Sequence, residues 1–157
     1  MATKNTVLKE GNKAPDFTAK DQNGKTVSLT GFLDKTLILY FYPKDDTPGC
    51  TAEACSFRDN YESLLQQGYN VVGVSTDDEK AHKKFENKYS LPFPLIADTD
   101  HKIVESYGVW VEKNMYGKLY MGTARTTFLI DKNSIIQKII EKVDTKNSSQ
   151  QVLDLLA

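Results

Sequence analysis

The chain has 157 residues, of which 39% are hydrophobic and 26% charged, a length and balance that support one sizeable buried core without metal or disulfide staples. Twenty basic against twenty-one acidic residues leave a formal charge of -1 and no basic cluster, so no nucleic-acid partner is expected. No stretch approaches the roughly 18 consecutive apolar residues of a membrane span, and the first six residues lack the apolar centre of a secretion signal. The expectation is one domain over 1–157, cytoplasmic and without membrane contact, in which two cysteines form at most a transient disulfide.

Taken in chain order, Asp16-Phe17-Thr18 and Thr26-Val27-Ser28 flank Asp21-Gln22-Asn23-Gly24, whose Asn-Gly pair predicts a small opening hairpin. Leu37-Ile38-Leu39-Tyr40-Phe41-Tyr42 is a continuous apolar run stopped by Pro43, the pattern of a strand buried on both faces, and residues 69–74 repeat it. Between them Ala54, Phe57, Tyr61 and Leu64 recur at helical spacing, predicting one helix over 50–67 and hence a βαβ unit. Thr76 and Glu79 predict a capping box for a second helix with Ala81, Phe85 and Tyr89 facing inward, ended by Leu91-Pro92-Phe93-Pro94. Strands at 95–96, 126–130 and 135–140, with a turn at Asp131-Lys132-Asn133 and a closing helix over 149–156, complete a three-layer α/β sandwich around a mixed sheet. Trp110 is expected in the core, and His82 and His101 at the solvated surface.

Thr47-Pro48-Gly49-Cys50 connects the first buried strand to the helix, with Thr47 suited to the N-cap and Pro48 to the first helical position. Cys50 then falls at N3, where free backbone N–H groups and the positive end of the helix dipole favour an anion, here a thiolate. Ionisation alone yields only on the order of a thirtyfold gain over an ordinary thiol at neutral pH. Reaction at an oxygen also needs donors that hold it, which the Thr47 hydroxyl, the Cys50 N–H and a distant arginine can supply. Cys55 lies five positions on; if both are helical their Cα atoms are about 8.7 Å apart, beyond the roughly 4.4–6.8 Å of a disulfide. The pair can therefore react only if the first helical turn unwinds.

Other chemistries fit less well. Cys50, Cys55, His82 and His101 lack zinc-site spacing, so no metal and no cofactor is expected. No glycine-rich phosphate loop or nucleophile elbow occurs, and Cys-x-x-x-x-Cys is not the spacing of a dithiol exchanger. Two other readings use the same cysteines: a thiol-disulfide oxidoreductase and a redox sensor that relays oxidation to a partner. Glu53 and Arg58 read as a solvated ion pair at the helix start, and packing around Pro43, Phe93 and Tyr120 is expected to set pocket width.

The segment Pro43-Lys44-Asp45-Asp46-Thr47-Pro48-Gly49-Cys50-Thr51-Ala52-Glu53-Ala54-Cys55-Ser56-Phe57-Arg58-Asp59 closely resembles the active-site segment of peroxiredoxins, and within them the bacterioferritin comigratory, or Q-type, subfamily. The family pattern Pro-x-x-x-Thr-x-x-Cys is met by Pro43, Thr47 and Cys50, and the family's distant arginine corresponds to Arg125 in Ala124-Arg125-Thr126-Thr127-Phe128-Leu129-Ile130-Asp131. The resemblance extends to residues 11–17, 71–76, 107–112 and 122–131. It implies a thioredoxin-like fold with an N-terminal hairpin extension, and a peroxidase that reduces hydrogen peroxide and organic hydroperoxides. It also implies that Cys50 is the peroxidatic residue and Cys55 the resolving one. Thr47 and Arg125 would hold the peroxide and Pro43 would shield the sulfur, with thioredoxin, or alternatively glutaredoxin, as reductant and a monomer as the working form.

Overall fold

The computed structural model describes residues 8–156. A short hairpin comes first, β1 (Thr18–Lys20) and β2 (Thr26–Ser28), followed by a 3-10 turn at Leu29–Phe32. Asp21 rather than the Asn-Gly pair alone organises the hairpin's loop, since its Oδ1 accepts from the N–H groups of Asn23 and Lys25 while Gly24 takes a φ of +74°. Then follow β3 (Thr36–Phe41), α1 (Pro48–Asp59), α2 (Tyr61–Gln66), β4 (Tyr69–Ser75), α3 (Glu79–Tyr89) and β5 (Leu95–Ala97). The chain ends through α4 (Lys102–Ser106), β6 (Trp110–Met115), β7 (Lys118–Thr123), β8 (Thr126–Ile130), β9 (Ile136–Ile140) and α5 (Ser148–Leu156).

Five strands form the central sheet in the order β5-β4-β3-β8-β9, with β4 parallel to β3 and β5, and β8 antiparallel to β3 and β9. This is the mixed sheet of the expected thioredoxin-like sandwich. Alternation along β3 divides the core, because successive strand residues point to opposite faces. Leu37, Leu39 and Phe41 pack with Val72, Phe128, Ile103 and Val104 on the side of α4 and the opening hairpin. Ile38, Tyr40 and Tyr42 pack with Ala54, Phe57, Leu64, Phe85 and Val152 on the side of α1, α2, α3 and α5. Tyr40 centres the second face, its ring 4.9 Å from Phe57 and 5.5 Å from Tyr42. No helix among the described residues is long and apolar enough to cross a membrane.

Several elements depart from the periodicity reading. The helix expected over 50–67 breaks at Asn60, whose φ of -115° and ψ of 10° are not helical. The Asn60 amide donates to the Ser56 carbonyl at 2.8 Å, a local bond that competes with the helical ladder. The cap of α3 is Asp78, accepting from Ala81 N–H at 2.8 Å, rather than Thr76. Residues 102–106 and 110–123, unassigned from the sequence, form α4 and the β6–β7 hairpin, turned at Tyr116 and Gly117 with φ of 53° and 81°. Trp110 is half-buried rather than central, stacked 4.3 Å from His101, which is itself half-buried rather than solvated.

Gly73 lets β4 approach the Tyr40 ring, since a Cβ there would lie 2.9 Å from the Tyr40 hydroxyl and 3.0 Å from Leu95 Cδ2. Both neighbours are fully buried and cannot yield without moving the sheet. Gly73→Ala should therefore lower stability by about 1–3 kcal/mol, measured as the midpoint of urea unfolding; an unchanged midpoint would show that the core accommodates the methyl.

Candidate active site

The sheet brings the site together at the C-terminal end of β3. The chain leaves β3 through a six-residue connection, 42–47, that contains Pro43 and leads into α1, and antiparallel pairing of Phe41 with Thr126 places Arg125 beside that exit. Parallel pairing of β4 brings Ser75 and Asp77 to the same edge. Thus Pro43, Thr47, Cys50 and Arg125, scattered over more than half the sequence, meet at one rim.

Thr47 is the N-cap residue of α1, with extended φ and ψ of -101° and 155°, but its side chain does not cap the helix. Its hydroxyl instead donates to the Lys44 carbonyl at 2.9 Å, which fixes the oxygen's lone pairs and leaves the first-turn N–H groups without a side-chain acceptor. Pro48 and Gly49 occupy the first two helical positions and Cys50 the third, with its side chain only 1% exposed beneath the rim. Pro43 is half-buried at the loop entrance.

Arg125 forks over the helix start. One arm, Nη2, lies 3.4 Å from Cys50 Sγ, and the other, Nη1, donates to Glu53 Oε1 at 2.8 Å. A Cβ on Gly49 would come within 3.0 Å of Nη2, so glycine is what lets the guanidinium lie over the first turn. Burial alone would lower the Arg125 pKa, but the Cys50 and Glu53 charges outweigh it and the cation is held. Lys113 of β6 belongs to the same field; burial, then Arg125, lowers its pKa, while Cys50 acts in the opposite sense.

Glu53 corrects one expectation: it is fully buried and pairs with Arg125, whereas Arg58 binds Asp59 and the Tyr89 carbonyl. Burial pushes the Glu53 carboxyl up to about 7 from an ordinary 4.5, with the Arg125 charge and hydrogen bond pulling the other way. Its second oxygen, Oε2, has no partner among the described residues. His82 is a second correction, being 0% exposed and bonded to Asp45. Phe93 belongs to the core, while Tyr120 is partly exposed on the β6–β7 hairpin, where it lines a surface cavity with Met115, Tyr116 and Leu119.

Cys55 sits on the same helix, partly buried, and both cysteines are free thiols. They are five helical positions apart, about 8.7 Å between Cα atoms. A thiol at a helix start, a fixed guanidinium on its sulfur and an oriented hydroxyl can together bind a small oxyanionic group and drive displacement at it.

Residues 11–139 match the AhpC/TSA family. The chain belongs to that family. A putative peroxiredoxin bcp from Coxiella burnetii is 48% identical over 149 residues, covering 95% of this chain and 99% of the relative. Peroxiredoxin Bcp from Bacillus subtilis is 47% identical over 146 residues, 93% of each chain. The solved structure of the Xanthomonas campestris bacterioferritin comigratory protein, whose published description concerns alkyl peroxide reduction, superposes with a TM-score of 0.83 at 34% identity and 89% coverage of both chains. This AhpC/TSA chain is thus a peroxiredoxin of the bacterioferritin comigratory type, a thiol-dependent peroxidase.

Because the Glu53 carboxyl is raised in the native state, the folded protein keeps a proton that the unfolded chain releases between about pH 4.5 and 7, and stability is lost as pH rises through that window. Glu53→Gln lacks this dependence. Its urea midpoint relative to wild type should therefore climb from about pH 5 to about pH 8; a pH-independent difference would mean that Glu53 stays ionised.

Proposed function

We propose that Cys50 is the peroxidatic cysteine and Cys55 the resolving cysteine of an intramolecular cycle. The observation that carries this reading is the Arg125 arm 3.4 Å from the Cys50 sulfur at the third position of α1. The Cys50 thiolate attacks one peroxide oxygen, the O–O bond breaks, and the departing alkoxide or hydroxide leaves as alcohol or water after taking a proton. Arg125 and the α1 N–H groups meet the charge that moves onto the oxygens, the Thr47 hydroxyl accepts the substrate's hydrogen bond and Pro43 limits water at the sulfur. Cys50 is left as the sulfenic acid.

The Cys55 thiolate then attacks the Cys50 sulfur, a disulfide forms and the sulfenic oxygen departs as water. This requires the first turn of α1 to open, because the intact helix holds the two residues too far apart. An external dithiol reduces the disulfide by exchange, with thioredoxin as the reductant and glutaredoxin as the second choice. The cycle needs no metal or organic cofactor and is assigned to a cytoplasmic monomer. Organic as well as hydrogen peroxide are taken as substrates, in line with the alkyl peroxide activity described for the Xanthomonas campestris relative.

Stopped-flow peroxide consumption coupled to thioredoxin, thioredoxin reductase and NADPH tests the cycle. Cys50→Ser should lose turnover entirely, while Cys55→Ser should complete one oxidation and stall; sustained turnover by Cys50→Ser would overturn the assignment. Amide hydrogen exchange gives a separate check on the opening. Protection over residues 48–56 should fall on oxidation of wild type and stay unchanged in Cys55→Ser, and equal protection in reduced and oxidised wild type would rule out unwinding.

A further inference from the structure

The loop that delivers Thr47 and Cys50 carries two aspartates, and α3 holds both. Asp46 adopts a left-handed φ of 58°, a conformation unfavourable for a residue with a Cβ, and its carboxylate accepts from Lys88 Nζ and Tyr89 Oη, each at 2.8 Å. Asp45 points inward, its side chain 7% exposed. Its Oδ1 accepts from the Tyr42 hydroxyl at 2.6 Å, its Oδ2 lies 2.6 Å from His82 Nδ1, and its own N–H donates to Asp77 Oδ2 at 2.8 Å. Asp77 Oδ2 also accepts from Ser75 Oγ at 2.8 Å.

His82 Nε2 lies 2.8 Å from the Ile96 carbonyl oxygen, which can only accept, so Nε2 carries hydrogen. One further proton must then sit between Nδ1 and Asp45 Oδ2, whichever of the two holds it. Burial lowers the His82 pKa, but the Asp45 bond and charge, with smaller help from Ile96 and Asp77, leave it raised overall. Asp45, Asp77 and His82 also form the group of metal-ligand type found among the described residues. Both imidazole nitrogens and both Asp45 oxygens already have partners within the protein, so the group is a closed hydrogen-bond network.

We propose that His82 is a positioning residue for the peroxidase reaction: through Asp45 it anchors the strained 43–47 loop to α3 and β5, and thereby sets where the Thr47 hydroxyl and the Cys50 sulfur meet the peroxide. The reading rests on the assignment of Cys50 as the attacking thiol. The anchor lies next to the loop's strained residue and two positions before Thr47, so its loss is transmitted to the catalytic hydroxyl with little slack. Displacements of about 1 Å at a reacting pair cost on the order of 100-fold in rate.

The test compares Asp45→Ala with Asp45→Asn in the full reduced chain. The amide of Asp45→Asn can donate to Nδ1 of a neutral imidazole and still accept from Tyr42, keeping the placement without the charge. Two rates are read: stopped-flow oxidation by hydrogen peroxide, and iodoacetamide alkylation of Cys50 followed by mass spectrometry. Asp45→Ala should slow oxidation by roughly 10–100-fold while alkylation changes by less than about threefold, and Asp45→Asn should recover most of the peroxide rate. Wild-type oxidation by Asp45→Ala, an Asp45→Asn as slow as Asp45→Ala, or parallel losses in both rates would each overturn the positioning role. Should Asp45→Ala fail to fold, Tyr42→Phe removes only the hydroxyl on Oδ1 and should slow peroxide selectively; no change there would equally overturn it. If wild-type Cys50 itself showed no preference for peroxide over iodoacetamide, the assignment of Cys50 would be what fails.

Discussion

One guanidinium answers two acidic groups at the start of α1, and most of the site's construction follows from that. Arg125 reaches the helix because β8 runs antiparallel to β3, and it can lie flat over the first turn because position 49 has no side chain. Its second arm needs Glu53, which is buried at the cost of a carboxyl pushed up to about 7. Burying a carboxylate costs it hydration, and Oε2 of Glu53 has no partner among the described residues to offset that cost. Its return is geometric, since a guanidinium tied at one arm presents the other to the sulfur in a single orientation.

The loop between β3 and α1 is held by a comparable arrangement on the opposite side. Where Arg125 approaches from the antiparallel half of the sheet, α3 approaches from the parallel half and binds Asp45 and Asp46 from below and from the outer surface. A thiol at a helix start is therefore clamped between two halves of one sheet, each contributing polar groups to an otherwise apolar core. The aromatic cluster of Tyr40, Tyr42, Phe57 and Phe93 shares one core cluster with Cys50, and Tyr42 in turn packs against His82.

Apolar periodicity made β3, β4, α1 and α3 readable in advance, because each buries a continuous run or a regular stripe. The same reasoning placed Cys50 at the third helical position, since Thr, Pro and Gly before it carry local conformational preferences. It failed for His82 and Glu53. Both look polar and exposed on a helical wheel, yet their partners Asp45 and Arg125 lie 37 and 72 residues away, and only the folded sheet pairs them. The β6–β7 hairpin escaped for a different reason: its strands mix Lys, Glu, Asn and Tyr with no buried face, and its turn uses Tyr116-Gly117 in place of the usual Asn-Gly. With it went the contribution of Lys113 to the field around the sulfur.

The interruption at Asn60 gives α1 two ends held by unlike forces. Its N-terminal turn is tied by charge, through Arg125 to the sulfur and to Glu53, whereas its C-terminal half is tied by the contact of Phe57 with Tyr40 and is cut off from α2 by a side-chain amide. A bond from the Cys50 sulfur to Cys55 would break only the first tie. The helix would then act as a fuse of defined length, opening from its N-terminal turn as far as the aromatic contact of Phe57 and leaving the following helix and the central sheet in register.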